Sequence, residues 1–275
     1  MSEEVKGKLR RLRAEDIPAA FELSAEAGWN QTTDDWQILI DLAPESCLGI
    51  EIDGELASTT TLLCYGTRLA WIGMVLTKIK FRGQGLARRL LSEALKLAGQ
   101  MNIETVKLDA TDQGMPLYEK LGFRSEQPVE RWTRRGAGRS IELRAEADPL
   151  SSELLDIDQK AFAADRSRFL KKIAKHNPVI ADTNSYLFTR SGREMAYLGP
   201  CVSESVEVAR SLIERCVQGT ASSIAWDLLK LNRDSETIAK DLGFVPQRCL
   251  TRMVRGRELR GREESIYALG GFEFG

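Results

Sequence analysis

Residues Lys80 to Leu91 read Lys-Phe-Arg-Gly-Gln-Gly-Leu-Ala-Arg-Arg-Leu-Leu, and this stretch constrains the chain more than any other. The apolar, partly β-branched run Ala70-Trp-Ile-Gly-Met-Val-Leu-Thr77 before it reads as a buried strand. After it, Leu86, Leu90, Leu91, Ala94, Leu95 and Ala98 recur at helical spacing with charged residues between them, and Gly99 reads as a helix stop. The pattern is strand, glycine loop, helix. Gly83 and Gly85 let backbone approach a ligand closely, and the free N–H groups of a first helical turn favour an anion, typically phosphate. Two permissive glycines also suit an ordinary strand-to-helix turn. There is no Gly-Lys-Ser/Thr of a nucleotide P-loop, and the third glycine of a dinucleotide fingerprint is missing.

Arg82-Gly-Gln-Gly85-Leu-Ala87 instead resembles the Arg/Gln-x-x-Gly-x-Gly/Ala signature of the GNAT superfamily of acyl-CoA-dependent N-acyltransferases. Leu117-Tyr-Glu-Lys-Leu-Gly-Phe123 is similar to that family's Leu-Tyr-x-x-x-Gly-Phe block, at the expected distance downstream. The resemblance covers residues 8–134. The family's frequent Asn and Ala ahead of Leu-Tyr are here Thr111 and Gly114, so Thr111 is left to substitute at the cofactor arm.

The elements around these motifs fit the family's β-α-α-β-β-β-α-β-α-β order. Lys8 to Arg13 alternates as a first strand, and Ile17-Pro18 opens a helix carrying Phe21, Leu23 and Ala27. Thr33 or Asp34 is expected to cap a second helix containing Trp36, Ile38, Leu39 and Leu42. The polar segment Gly28 to Trp36 either buries Trp29 and Trp36 as staples or roofs an acceptor site. Asp53-Gly54 between Cys47–Ile52 and Glu55–Cys64 signals a type I′ hairpin. Glu104 to Thr111 is another strand, Met115 to Phe123 holds a short helix closed by glycine, and Arg131 to Arg134 is a last strand before the hinge Arg135 to Arg139.

The second half echoes the first. Leu143-Arg-Ala-Glu146 repeats Leu12-Arg-Ala-Glu15, and Leu242-Gly-Phe244 repeats Leu121-Gly-Phe123. The expectation is therefore an α+β protein of α/β/α sandwich type: two tandem GNAT folds, each a mixed, mostly antiparallel, splayed sheet flanked by helices. The domains are placed at residues 1–136, carrying the acyl-CoA site, and 137–275, degenerate and non-catalytic. In the second copy Gly199-Pro-Cys-Val-Ser-Glu-Ser205 stands where the paired glycines should be, and Ile238-Ala239 replace Leu117-Tyr118, although Asn232 keeps the family asparagine. This half resembles the degenerate C-terminal domain of bacterial tandem GNAT proteins and is expected to shape the acceptor cleft or fix the domain arrangement.

The resemblance implies that Val75, Leu76 and Thr77 pair with pantetheine amides. It also implies that Arg82, Gly83, Gln84, Gly85, Leu86, Ala87 and Arg88 hold the pyrophosphate. Tyr118 would protonate the leaving sulfur, since a phenol with a pKa of about 10 is protonated at neutral pH. The strand before the loop carries no carboxylate, so Asp109 is the expected base, with Asp34 or Asp35 as alternatives and water as a further one. Each of these aspartates also reads as a cap or a solvated charge. Trp29, Asn30, Gln31 and Asp34 are assigned to the acceptor side. The activity implied is transfer of an acetyl group from acetyl-CoA to a primary amine of a small molecule or peptide, by direct attack. The rival is a non-catalytic acyl-CoA sensor.

Lys and Arg total 39 against 40 Asp and Glu, a net charge of −1, which gives no footprint for nucleic acid or an acidic membrane. No apolar signal core or spanning stretch is present, and the five cysteines lack Cys-x-x-Cys spacing, so a cytoplasmic protein with reduced thiols is expected. No His/Cys/Asp cluster has metal-ligand spacing; the lone His176 reads as a surface residue. Monomer and homodimer both fit.

Overall fold

The computed structural model describes residues 7–136, 138 and 150–275. The repeat segment Leu143 to Glu146 and part of the Arg135 to Arg139 hinge, like the boundary at 136/137, lie at or within the residues outside that description. The first half runs β1 (Lys8–Arg11), α1 (Ile17–Glu26), α2 (Thr33–Leu42), β2 (Cys47–Ile52), β3 (Glu55–Tyr65), β4 (Leu69–Thr77), α3 (Leu86–Gln100), β5 (Thr105–Ala110), α4 (Met115–Lys120) and β6 (Arg124–Arg134). This is the expected order. The second half follows with α5 (Ser152–Phe162), α6 (Ser167–Ala174), β7 (Val179–Asp182), β8 (Ser185–Arg190), β9 (Ala196–Ser203), α7 (Val206–Gly219), β10 (Ile224–Leu229), α8 (Arg233–Asp241), β11 (Val245–Gly256) and β12 (Ile266–Ala268).

Local signals explain most boundaries. Asp53 and Gly54 both take positive φ, 50° and 80°, as a type I′ turn requires. The cap of α2 is Thr32 rather than Thr33 or Asp34. Its hydroxyl accepts from the Asp35 amide while the Asp35 carboxylate accepts from the Thr32 amide, a reciprocal pair that satisfies two otherwise orphaned donors. In α3, Leu86, Leu90, Leu91, Ala94 and Ala98 form the buried stripe that the helical period predicts.

The two half-sheets are not separate. All the strands of the described residues belong to one sheet of order β1-β2-β3-β4-β5-β11-β6-β10-β9-β8-β7, with β12 lying beside β9. One strand of each half has crossed over: β11 pairs antiparallel with β5 of the first half, and β6 pairs antiparallel with β10 of the second. The two crossed strands pair with each other at the centre. One buried ion pair pins each crossing. Arg252 Nε and Nη2 donate to the two Asp109 carboxylate oxygens at 2.9 and 3.0 Å. Arg131 Nε and Nη2 donate to the Asp227 oxygens at 2.7 and 2.6 Å. The pairs occupy equivalent places, since Asp109 and Asp227 sit on β5 and β10 opposite Arg252 and Arg131.

Helices α1 and α2 of the first half and α5 and α6 of the second share one core on one face of the sheet, through Leu23, Trp36, Leu39, Phe162, Phe169 and Leu170 among others. On the other face, α3 and α4 cover the first half and α7 and α8 the second. A common apolar layer and two crossed strands make the halves interdependent.

Removing one partner of a buried ion pair strands a charge and typically costs about 3–5 kcal/mol, whereas replacing both by apolar groups is often near neutral. Arg252→Met is therefore expected to lower the urea unfolding midpoint by that order of free energy. Adding Asp109→Leu should recover most of the loss.

Candidate functional site

Strands β4 and β5 pair in parallel only from Leu69↔Thr105 to Trp71↔Lys107. Beyond Trp71 they diverge, and the β5-facing edge of β4 from Gly73 to Thr77 is left open. The register between β3 and β4 slips between Thr59 and Thr61, and Met74 takes a positive φ of 50°, marking a bulge where the strands part. The carbonyls thrown out of register are satisfied by buried hydroxyls on β3. Thr59 Oγ1 donates to the Met74 carbonyl at 2.8 Å and Ser58 Oγ to that of Leu76 at 2.6 Å. The run Ser58-Thr-Thr-Thr61, wholly buried, is thus the internal support of an open strand edge.

A cavity of about 90 Å3 lies at the divergence, lined by Ile72 to Val75 from β4, Leu108, Asp109 and Thr111 from β5 and its loop, and Tyr118 from α4. Trp29, Gln31, Arg131, Arg248, Leu250, Phe272 and Glu273 complete its wall. Its volume suits a reacting acyl group and an amine, not a whole coenzyme. The remainder of such a ligand would follow the β4 edge, and that edge leads to the loop. There Arg82 to Gly85 are exposed, Gly83 and Gly85 take φ of 78° and 77°, and nothing lies within 4 Å of where a Cβ on Gly83 would be. Leu86 is buried and anchors the first turn of α3. Arg82 is steered back along β4 by donating from Nε to the Thr77 carbonyl at 3.1 Å. Arg88 is exposed beside Gly85, and Ala87 is half-buried. The loop, the open edge and the cavity are contiguous.

Tyr118 is buried, its ring edge-on to Phe123 with centroids 6.0 Å apart, and burial pushes its phenol up to about 12. Thr111 turns its hydroxyl to accept from the Gly114 amide at 3.2 Å, shaping the entry to α4.

The acceptor-side expectations divide. Trp29 and Gln31 line the cavity, whereas Trp36 is a fully buried staple donating from Nε1 to Ser24 Oγ at 3.3 Å. Asn30 does not reach the cavity. Its amide is consumed by the turn between β8 and β9, donating to the Met195 carbonyl at 2.8 Å and accepting from the Glu194 and Met195 amides. Asp34 is exposed in the first turn of α2, where a carboxylate favours the helix dipole, and is not part of the wall. Asp35 is capped by Thr32 and paired with Arg190 of β8.

Asp109 does line the cavity, but both its oxygens are held by Arg252. Burial raises its carboxyl above the usual range while the Arg252 guanidinium opposes. The same Asp–Arg pair recurs in the second half, which lacks the tyrosine and the glycine loop. Its duplication ties it to strand crossing rather than to proton transfer.

Glu273, which the sequence pattern did not single out, is the carboxylate the cavity offers. It is 2 % exposed, and its Oε2 accepts from Gln31 Nε2 at 2.8 Å. Arg248, half-buried on β11, lines the same cavity with no ion-pair or hydrogen-bond partner among the described residues; burial and the neighbouring Arg131 lower its pKa.

Among the described residues, the second half has no counterpart to this open site. Ser205 caps α7 by accepting from the Val208 amide at 3.3 Å, so its own side chain occupies the helix terminus. Strands β9 and β10 diverge as β4 and β5 do, but β12 lies between them, pairing Ile266↔Val202 and Ala268↔Cys201 along β9.

Comparison with known proteins agrees with this geometry. A profile of the acetyltransferase (GNAT) family matches residues 10–123, and one of the acetyltransferase (GNAT) domain matches residues 154–268. The chain belongs to the GNAT family and carries two of its domains in tandem. It is 24% identical to YitH, an uncharacterised N-acetyltransferase of Bacillus subtilis (strain 168), over 254 residues that cover 88% of this chain and 89% of that one. Its fold superimposes with a TM-score of 0.86 on a Pyrococcus horikoshii protein provisionally called an acetyltransferase, at 20% identity and covering 100% and 99% of the two chains. A GCN5-related N-acetyltransferase from Sphaerobacter thermophilus gives a TM-score of 0.59 at 13% identity, covering 90% and 95%. At such identities these two likenesses speak to fold alone. Among the described residues no helix is long and apolar enough to cross a membrane, and no cluster of three or more potential ligands could hold a metal ion.

Proposed function

We propose that the first half transfers an acetyl group from acetyl-CoA to a primary amine of a small molecule or peptide, by direct attack. The observation that carries this reading is the continuity of an exposed glycine loop, an open β4 edge and a small cavity walled by Tyr118. N–H groups of Gly83 to Ala87 receive the pyrophosphate, with Arg82 and Arg88 adding charge. The β4 edge from Val75 to Thr77 pairs with the pantetheine amides as an added strand. A backbone N–H at the bulge polarises the thioester carbonyl, a contribution of about 3 kcal/mol to the transition state. The amine attacks the carbonyl carbon, the C–N bond forms, and the C–S bond breaks as Tyr118 gives its proton to the sulfur. With its phenol near 12, Tyr118 holds that proton throughout the neutral range.

Arg248 narrows the acceptor. A partnerless guanidinium in the wall favours an amine that carries an anionic group, such as the carboxylate of an amino acid or peptide. Arg248→Ala should raise KM for carboxylate-bearing amines and leave KM for simple alkylamines unchanged.

Acetyl-CoA turnover is read from amine-dependent release of free thiol. Tyr118→Phe is expected to lower kcat by about 100-fold or more, with acetyl-CoA affinity retained. Absence of amine-dependent thiol release by the wild type, with acetyl-CoA still bound, would favour a sensor instead.

A further inference from the structure

The tail after β11 is the least expected part of the structure. Its first segment, β12, lies in the divergence between β9 and β10, the place that corresponds to the open β4 edge in the first half. It is fastened there by the asparagine of this copy: Asn232 Nδ2 donates to the Ile266 and Glu264 carbonyls at 2.9 and 3.1 Å. Trp226 Nε1 donates to the Tyr267 carbonyl at 2.8 Å, and the Leu269 amide to the Asp227 carbonyl at 2.8 Å. The chain has placed its own strand in its second cleft.

From there Gly270–Gly275 crosses into the first half. Trp71 Nε1 holds the Phe272 carbonyl at 2.9 Å, Tyr65 holds the Phe274 carbonyl at 2.7 Å, and Phe274 stacks on Phe169 at 4.6 Å. Gly73 permits the approach, since a Cβ there would stand 2.9 Å from the Glu273 carbonyl oxygen. Glu273 lines the cavity with Oε2 held by Gln31, while its Oε1 is buried with no hydrogen-bond partner and stands 3.7 Å from Arg190 Nη2. A buried carboxylate oxygen that accepts no hydrogen bond and is balanced only by a guanidinium 3.7 Å away is costly to burial and useful to chemistry.

We propose that Glu273 is the base that takes the proton from the acceptor's ammonium group, and that the second half's filled cleft is the mount that delivers it. This rests on the acyl-transfer reading above. Glu273 takes one proton from R–NH3+, freeing the lone pair that attacks, and releases it to solvent. The second N–H proton of the adduct replaces the one Tyr118 gives to sulfur, so each turnover consumes the ammonium and thioester and yields amide, free thiol and one proton.

The surroundings suit the task. Burial raises the Glu273 carboxyl from its usual range to about 7; Arg190 on β8 opposes, Asp35 on α2 adds to the rise, and Arg131 on β6 opposes. Tyr197 on β9 and Tyr65 on β3 also face it. A base must be ionised to act, so activity rises with pH through that value.

The test measures thiol release across pH by wild type, Glu273→Gln and Glu273→Asp, with acetyl-CoA and a polyamine, free amino acids, an aminoglycoside and a dipeptide. Wild type should show a rising limb near pH 7 that is common to all accepted amines, unlike the limb set by each amine's own ionisation. Glu273→Gln should lose that limb and about 100-fold or more of kcat, with calorimetric acetyl-CoA affinity unchanged, and Glu273→Asp should keep the limb at lower kcat. A Gln variant that retains both kcat and limb, or that loses acetyl-CoA binding, overturns the proposal. A wild type that binds acetyl-CoA and acetylates no amine overturns the acyl-transfer reading, and this one with it.

Discussion

The crossing of β6 and β11, each pinned by an Asp–Arg pair, is the constraint on which the rest of the structure depends. It joins two half-sheets into one, and it brings Arg131 and Arg248 to the cavity on strands that would otherwise be remote from each other. Buried ion pairs are seldom strong net stabilisers, but an unpaired one is expensive. A mis-registered crossing would leave Asp109 and Asp227 buried without guanidinium partners. The pairs therefore act as a register check on the sheet centre, over which α1, α2, α5 and α6 share one apolar layer.

Within that frame the two halves have diverged by filling or opening the same gap. In the first, β4 and β5 separate, hydroxyls from β3 support the bulge, and the strand edge faces a cleft. In the second, β12 closes the gap and Ser205 caps the helix that would otherwise present free N–H groups. The loss of the paired glycines and of the tyrosine in the second half thus coincides with a physical reason for the loss. A cleft that holds its own chain needs neither. What it gains is a fixed exit for Gly270–Gly275 toward the first half.

Much of this was legible in the sequence where the determinants are local. The Asp53-Gly54 turn, the Leu stripe of α3, the glycines of the loop and the short helix bearing Tyr118 all follow from periodicity and φ requirements within a dozen residues. The repeat was legible too, through Leu121-Gly-Phe123 and Leu242-Gly-Phe244. The crossing was not, because strand order depends on pairings far apart in the chain, such as Asp109 with Arg252. Asn30 and Asp34 were read as site residues because the loop is polar, but one amide is spent on the β8–β9 turn and one carboxylate on a helix terminus. Glu273 was missed for the same long-range reason, its Gln31 partner lying 242 residues away. Its signal was an acid flanked by phenylalanines and glycines in Gly270-Gly-Phe-Glu-Phe-Gly275, a charge where the pattern asks for burial.

If one gap admits coenzyme A and the equivalent gap is closed by the chain itself, each chain binds a single coenzyme. Titrating acetyl-CoA into the full chain by calorimetry tests this most directly, with Gly85→Glu as the control that places a carboxylate in the loop. One site per chain, lost in that variant, is expected. Two sites per chain, or a single site indifferent to Gly85→Glu, would contradict it.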